Sequence, residues 1–228
     1  MKIHNPLRLL SWKELLFWLF SLSLITASFL IASNDYLTLI SSLIGVTALV
    51  FVTKGLVVGQ FICVVFALFY GVVSFFFGYY GEMITYLFMS GPIAICAIVS
   101  WIRHPFRDSA EVEVHRITKK EFLLLLGLTA VVTTVFHFIL RALGNTNLPL
   151  STVSVATSFI AASLLKMRSP FYAVAYAVND VVLIGLWIYA SLADPSYLPM
   201  VICFSLFLVY DLYGFCNWRK MQRRQQEA

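Results

Sequence analysis

The sequence predicts an all-α integral membrane protein with eight transmembrane helices. Of its 228 residues, 61% are hydrophobic and only 12% are charged, about half the charged share of soluble domains. The apolar residues form eight runs long enough to cross a bilayer, which takes about 20 helical residues. When these runs are threaded as alternating spans, fifteen of the sixteen Lys and Arg residues fall on one side. Because positive charge is retained in cytoplasmic loops, this pattern predicts both a membrane protein and its orientation in the membrane.

The predicted spans follow one another with short connections. The first run continues through Ile31 and Ala32 without a small-residue cleavage site, which indicates a retained helix rather than a signal peptide. Pro92 interrupts the fourth run, where we expect a hinge or kink. The longest polar stretch, Arg103 to Glu121, mixes both charges and is predicted to be a solvated linker. The spans cover residues 15–33, 35–53, 56–77, 82–102, 121–143, 149–165, 170–192 and 196–218.

The basic residues predict that both termini are cytoplasmic and that the protein is a multi-pass protein of the cell membrane, with the lipid bilayer as its surroundings. Only Arg141 lies toward the opposite face, and seven spans would scatter the charges over both faces. The net charge of +5 follows from the loops, so no nucleic-acid partner is expected. The residues on the cytoplasmic side are Lys2, Arg8, Lys13, Lys54, Arg103, Arg107, Arg116, Lys119, Lys120, Lys166, Arg168, Arg219, Lys220, Arg223 and Arg224.

An internal repeat emerges when the chain is compared with itself at a shift of 110 residues. Ser41 then aligns with Ser151, and Thr47 aligns with Thr157. Spans two to four and six to eight are therefore predicted to be two copies of one three-helix unit, in the same orientation because one span links them. Chance similarity among apolar helices is the alternative. The predicted segments are an N-terminal segment with an extra helix (1–34), repeat A (35–102), a cytoplasmic loop (103–120), a linker helix (121–145), repeat B (146–218) and a cytoplasmic tail (219–228).

Asp180 is the residue least expected in lipid, since a charged side chain at mid-bilayer costs about 2.5–3.5 kcal/mol. It lies near the centre of span seven, beside Asn179. Tyr172 and Tyr176 precede it by eight and four residues, so these three side chains share one helix face. Two aromatic rings and a carboxylate suit a flat, polar or cationic ring. The alternative is that Asp180 bonds a neighbouring helix through Ser or Thr.

Four further residues are expected to face the same cavity. Gln60 is a polar outlier in span three, and Asp211 is one in span eight. Tyr70 aligns with Asp180 in the repeat and precedes Gly71, which allows close helix approach. The predicted substrate-binding residues are Gln60, Tyr70, Tyr86, Tyr172, Tyr176, Asn179, Asp180 and Asp211.

The sequence offers little for enzymatic chemistry. It contains no glycine-rich phosphate loop followed by Lys-Ser or Lys-Thr. The four cysteines form no Cys-x-x-Cys pair and are predicted to be buried small hydrophobes. His137 is the only histidine within a span, and we interpret it as a hydrogen-bonded packing residue. We therefore expect no enzyme, cofactor or metal site. A ligand-binding sensor and a proton-coupled carrier that titrates Asp180 are the remaining alternatives.

Two ordered sets of residues follow the pattern of a known family. The first half contains Ser42-Leu-Ile-Gly-Val, Lys54-Gly55, Phe69-Tyr70-Gly71, Tyr80-Gly81-Glu82, Pro92 and Trp101. The second half contains Ser158, Asn179-Asp180, Leu186-Trp187 and Trp218-Arg219-Lys220. Over residues 36–220 the chain resembles the PnuC family of vitamin transporters.

The resemblance implies a 3+1+3 helix architecture similar to that of SWEET sugar transporters, in a homotrimer. It also implies facilitated diffusion of nicotinamide riboside, an NAD precursor, with trapping by cytoplasmic phosphorylation. The flat cationic ring of this substrate fits the face around Asp180. Family members that carry nicotinamide riboside tend to have a Trp-x-x-Trp pair in this helix, whereas this chain has Tyr172 and Tyr176 at a different spacing. Thiamine or a deoxynucleoside is therefore the alternative substrate.

Overall fold

Among the residues that the structure describes, eight helical segments are long and apolar enough to cross a membrane, as the sequence predicts. The computed structural model describes residues 6–32, 35–76, 80–107, 109–145 and 147–228. The fourth span combines α4 (Tyr80–Thr85), a π-helical segment (Tyr86–Ser90) and α5 (Gly91–Arg103). The other spans are α1 (Trp12–Ala32), α2 (Tyr36–Thr53), α3 (Val57–Phe76), α6 (Lys119–Ala142), α7 (Leu148–Lys166), α8 (Tyr172–Ala193) and α9 (Leu198–Glu227). Short 3-10 helices cover Pro6–Leu9 and Pro195–Tyr197.

Several predictions fall outside the described residues. They concern Lys2, residue 33 at the end of the first span, residue 77 at the end of the third span, residue 34 at the end of the N-terminal segment and residue 146 at the start of repeat B.

Local signals in the sequence set several helix ends. Asp35 Oδ1 accepts hydrogen bonds from two backbone amides at the start of α2. Thr118 and Glu121 form a capping box that starts α6. Gly55 ends the turn after α2 with φ of +67°, a conformation that glycine adopts without steric cost. Proline stands in the first turn of α5, α7 and α9, where its missing N–H costs nothing.

The fourth span is interrupted around Pro92, as predicted. The backbone from Tyr86 to Ser90 is π-helical, and α5 begins at Gly91 with Pro92 in its first turn. Proline cannot donate to the preceding turn, so the hydrogen-bond ladder is rearranged there. π-helical segments of this kind are frequent at functional sites.

The described helices pack around three buried apolar clusters. α8 lies between α7 and α9, α2 contacts α3 and α9, and α5 contacts α3 and α7. A Cβ atom built on Gly71 would lie 2.6 Å from the side chain of Leu87, so glycine permits the close approach of α3 to the π-helical segment, as predicted. The extra helix α1 packs on α2 and α9, where Glu14 pairs with Lys54 at 3.2 Å.

The connection between α5 and α6 is exposed over much of its length, as expected for a solvated linker, but it packs on the bundle at Val112. Val112 is 1% exposed, and its amide donates to the carbonyl of Gly55 at 3.0 Å. Gln225 bonds the backbone of both Val112 and Val114, because α9 continues as a helix to Glu227, through the segment predicted as the cytoplasmic tail. The loop packs here because Glu and Val alternate from residue 111 to residue 114. This alternation places both valines on one face of the segment.

Two predictions about isolated residues have different outcomes. His137 Nδ1 lies 3.0 Å from Thr152 Oγ1, which confirms a hydrogen-bonded packing residue. The prediction of buried cysteines holds for Cys203, but Cys96 and Cys216 are exposed on the outer surface of their helices. Lipid solvates a thiol there as well as a protein interior does, so the hydrophobic character of cysteine does not require burial.

Candidate functional site

A cavity of about 110 Å³ lies within the bundle, between α2, α3, the fourth span, α7, α8 and α9. Its lining includes no residue of α1 or α6 among those that the structure describes. A single water needs about 10–15 Å³ of such space, so the cavity admits a small organic molecule. Seven of the eight predicted site residues line it, namely Gln60, Tyr86, Tyr172, Tyr176, Asn179, Asp180 and Asp211.

Three neutral polar atoms on the cavity wall have no hydrogen-bond partner among the described residues. They are both amide atoms of Gln60 and the hydroxyl of Tyr172. The two side chains are 0% exposed. An unsatisfied buried polar group costs about 1–3 kcal/mol, and most native proteins avoid it. A polar solute that supplies donors and acceptors removes this cost, so these atoms indicate a binding surface.

Asp180 and Asp211 bring two carboxyl groups together across α8 and α9. Their side chains are 3% and 2% exposed, and the two carboxyl groups are hydrogen-bonding neighbours. Asp180 Oδ2 and Asp211 Oδ1 receive no hydrogen bond from an N–H or O–H group of the described chain. No Lys, Arg or His occurs among the described residues that line the cavity. The site therefore has an acidic character without an internal counter-ion.

Asn179, and not Asp180, bonds the neighbouring helix through Ser and Thr. Its Oδ1 accepts from the hydroxyls of Thr157 at 2.8 Å, Ser158 at 3.0 Å and Ser154 at 3.3 Å. These three residues of α7 are spaced i, i+3 and i+4, so they share one helix face. That spacing was visible in the sequence but was not recognised as a partner surface. Because Oδ1 is occupied, Nδ2 is the group that Asn179 offers to a solute.

The aromatic face of α8 has the predicted composition, with a geometry that the sequence did not define. The rings of Tyr172 and Tyr176 lie 6.3 Å apart at 75°, edge to face rather than parallel. Tyr172 also packs on Trp218 at 5.0 Å, and Trp218 packs on Trp101 at 5.5 Å. Both tryptophans are 0% exposed, so they close the wall of the cavity behind Tyr172.

Tyr70 is the predicted site residue that does not line the cavity. It lies one layer behind, with its ring 4.7 Å from that of Tyr86 and its hydroxyl donating to Glu82 Oε2 at 2.7 Å. Sequence reasoning missed Glu82 because the predicted fourth span began at that residue, where an acid looks interfacial. The one available signal was its place in the Tyr80-Gly81-Glu82 pattern.

Three phenylalanines in the lining were also missed. Phe66, Phe204 and Phe207 contact the cavity, and a Cβ atom on Gly45 would lie 2.7 Å from Phe207 Cζ. Among the 20 phenylalanines of the chain, no spacing separates those that face a cavity from those that face lipid. The cavity thus combines apolar walls with a few convergent polar groups, the usual composition of a small-molecule site.

Comparison with known proteins identifies a family of transporters. The family described as nicotinamide mononucleotide transporter matches residues 35–220. The nicotinamide riboside transporter PnuC of Neisseria mucosa is 26% identical over 201 residues, which cover 86% of this chain and 76% of that protein. The protein of the same name from Haemophilus influenzae is 26% identical over 193 residues, which cover 84% of this chain and 82% of that protein.

A solved structure gives the same result for the fold. The crystal structure of the vitamin B3 transporter PnuC matches with a TM-score of 0.81 and 25% identity, over 95% of this chain and 94% of that one. These matches confirm the resemblance and the prediction of a membrane transporter rather than an enzyme. The chain belongs to the nicotinamide mononucleotide transporter family.

Proposed function

We propose that this protein carries nicotinamide riboside across the cell membrane by facilitated diffusion, and that cytoplasmic phosphorylation traps the substrate. One observation carries the proposal: two sets of polar groups meet at one aromatic cavity. They are the side-chain atoms of Gln60 and Tyr172 that have no hydrogen-bond partner among the described residues, and the Asp180–Asp211 pair, which has no counter-ion in the described lining. The relatives from Neisseria mucosa and Haemophilus influenzae are named as transporters of this compound, which supports the substrate.

Each part of nicotinamide riboside has a matching group in the cavity. The cationic pyridinium ring suits the faces of Tyr172 and Tyr176 and the charge of Asp180. The amide of Gln60 can accept from and donate to a carboxamide or ribose hydroxyl, since it has both functions free. Nδ2 of Asn179 supplies a further donor.

Transport is proposed to proceed by rocking of two three-helix units, α2 to α5 and α7 to α9, around the cavity. Two reciprocal hydrogen bonds support this repeat: Trp101 Nε1 donates to Leu165 O, and Trp218 Nε1 donates to Val52 O, each at 3.0 Å. The absence of α1 and α6 from the described lining supports it as well. The proposal includes cytoplasmic termini and a homotrimer, as the charge pattern and the family resemblance imply.

The experiment is uptake of labelled nicotinamide riboside into proteoliposomes that contain the purified protein. We expect saturable uptake that unlabelled nicotinamide riboside blocks and that thiamine and deoxynucleosides block weakly. We also expect no stimulation by an imposed pH gradient at a clamped membrane potential, because a uniporter follows the electrochemical gradient of its substrate and carries no proton. Empty liposomes and liposomes with an unrelated eight-helix protein are the controls.

Other results would identify a different function. Uptake of thiamine in preference to nicotinamide riboside would assign the alternative substrate, which the tyrosines in place of the tryptophan pair favour. Binding of nicotinamide riboside without uptake would identify a sensor. Stimulation by an inward proton gradient would replace the uniport mechanism with proton coupling.

A further inference from the structure

We propose that Asp180 and Asp211 hold one proton between them, so that the pair presents a single negative charge which selects monocationic substrates. This inference rests on the proposed function, because it concerns the charge of the same cavity. It goes beyond that function because it makes Asp211 of α9 an equal partner of Asp180, the acid that the sequence singles out.

The hydrogen-bonding pattern requires a proton between the two acids. An ionised carboxylate only accepts hydrogen bonds, so two carboxylates in mutual contact have no hydrogen to share. The facing groups of Asp180 and Asp211 are buried, and their oxygens Oδ2 and Oδ1 receive no N–H or O–H donor from the described chain. One proton held between the two carboxyl groups supplies the missing hydrogen. It converts the pair into a carboxylic acid that donates to a carboxylate.

The surroundings of the pair set its total charge. The titratable side chains that face it are Cys63 from α3, Tyr86 from the π-helical segment, Tyr172 and Tyr176 from α8, and Cys203 from α9. None of these groups is cationic in any protonation state. Among the described residues that line the cavity, α2, α5 and α7 contribute apolar side chains and Ser158, with no titratable group.

Neither of the other two charge states fits this environment. Two negative charges in contact, without a counter-ion and inside the membrane, repel each other and carry a double desolvation cost. A doubly protonated pair would leave the cavity neutral, with no charge to favour a cation over a neutral ring. One shared proton leaves a charge of minus one, which a bound pyridinium ring neutralises. The site therefore discriminates by charge as well as by shape.

The test measures binding of nicotinamide riboside to purified protein by isothermal titration calorimetry, for Asp180→Asn, Asp211→Asn and the double variant. An Asn amide donates to the remaining carboxylate, so each single variant keeps one hydrogen bond and one negative charge. We expect both single variants to bind within about fivefold of the unchanged protein, since the charge-assisted hydrogen bond is retained. The double variant removes the charge, and we expect its affinity to fall on the order of 30-fold or more.

A neutral ligand provides the matched control. The reduced form, dihydronicotinamide riboside, has nearly the same shape and no charge, so the double variant should lose much less affinity for it than for nicotinamide riboside. Equal loss of both ligands in the double variant would show a damaged cavity and overturn the assignment, as would a thermal unfolding temperature that falls in parallel.

Each of the following outcomes would contradict the inference that the two acids share one proton. A large loss in both single variants would show two ionised acids. A loss in one single variant alone would show a fixed charge on that residue. Unchanged affinity in the double variant would show a neutral pair. Failure of the unchanged protein to bind nicotinamide riboside would instead refute the proposed function.

Discussion

At the scale of single residues, Gln60 gives the clearest separation of function from stability. Gln60→Leu removes two buried polar atoms that have no partner, at nearly constant volume. We expect the thermal unfolding temperature to stay the same or rise, because an unsatisfied group is removed. We expect affinity for nicotinamide riboside to fall by about 1–3 kcal/mol, the cost of losing its buried hydrogen bonds. Calorimetry and thermal unfolding of the same sample check both effects. A lower unfolding temperature with unchanged affinity would make Gln60 a structural residue.

Tyr70→Phe and Tyr172→Phe form a matched pair of variants with opposite expected effects on stability and substrate affinity. Tyr70→Phe leaves Glu82 Oε2 without its donor, so we expect a loss of stability of about 1–3 kcal/mol and little change in substrate affinity. Tyr172→Phe removes a hydroxyl that has no partner, so stability should be kept while affinity falls by a similar amount. Thermal unfolding and ligand titration of both variants test the contrast. The reverse pattern would place the substrate beside Tyr70 and Glu82 instead.

The site residues that the sequence revealed share one property, which is polarity within an apolar run. Asp180, Gln60 and Asp211 were found in this way, and all three line the cavity. Tyr70 was chosen by the repeat alignment instead, and it lies behind the lining because that alignment gives position along a helix but not the direction of a ring. It missed Glu82 because an acid at a predicted helix end is unremarkable.

At the scale of helices, the close approach of α3 to the π-helical segment depends on Gly71. A Cβ atom there would lie 2.6 Å from two atoms of Leu87, so Gly71→Val forces the two elements apart. We expect a loss of stability of about 1–3 kcal/mol, as for other overpacked cores, with reduced uptake because Tyr86 lies in the displaced segment.

The control for this change is Gly185→Val in α8. Gly185 has open space around the position of a Cβ atom, and both substitutions introduce the same β-branched residue into a helix. Thermal unfolding in detergent and proteoliposome uptake should be nearly unchanged for Gly185→Val. If the two variants lose equal stability, helix propensity and not the contact with Leu87 explains the effect.

Helix number and order followed from apolar length, but some helix ends and contacts did not. The last helix runs to Glu227, and near its end Gln225 bonds the loop at Val112 and Val114, which lie 113 and 111 residues away in the sequence. Hydropathy does not reveal this contact, since it joins a polar side chain to the backbone of a distant loop. The π-helical segment is a further case: Pro92 indicates an interruption, while the backbone form depends on packing against α3.

At the scale of the whole molecule, the charge asymmetry makes a topological prediction. Fifteen of sixteen Lys and Arg residues are expected on the cytoplasmic face. We therefore expect green fluorescent protein fused after Ala228 to fluoresce and alkaline phosphatase fused after Gly144 to be active in cells. Exchanging the two reporters should abolish both signals. Fluorescence from a reporter at Gly144 would reverse the orientation and the direction of the proposed trapping.

The overall arrangement shows where sequence reasoning reaches its limit. The eight spans follow from composition, because a bilayer imposes length and apolarity on every crossing helix. Which helices surround the cavity does not follow, since lipid and protein interior select the same residues. The proposed repeat predicts that α1 and α6 stand outside the cavity, and the described lining supports this.

The central claim is that one cavity between α2, α3, the fourth span, α7, α8 and α9 is where nicotinamide riboside binds. A crystal structure of the protein with nicotinamide riboside bound tests it most directly. The account predicts that the pyridinium ring lies against Tyr176 and Tyr172, within reach of the Asp180–Asp211 pair, and that Gln60 bonds the substrate. A substrate bound outside this cavity, or bound within it without contact to Gln60 or either acid, would contradict the account.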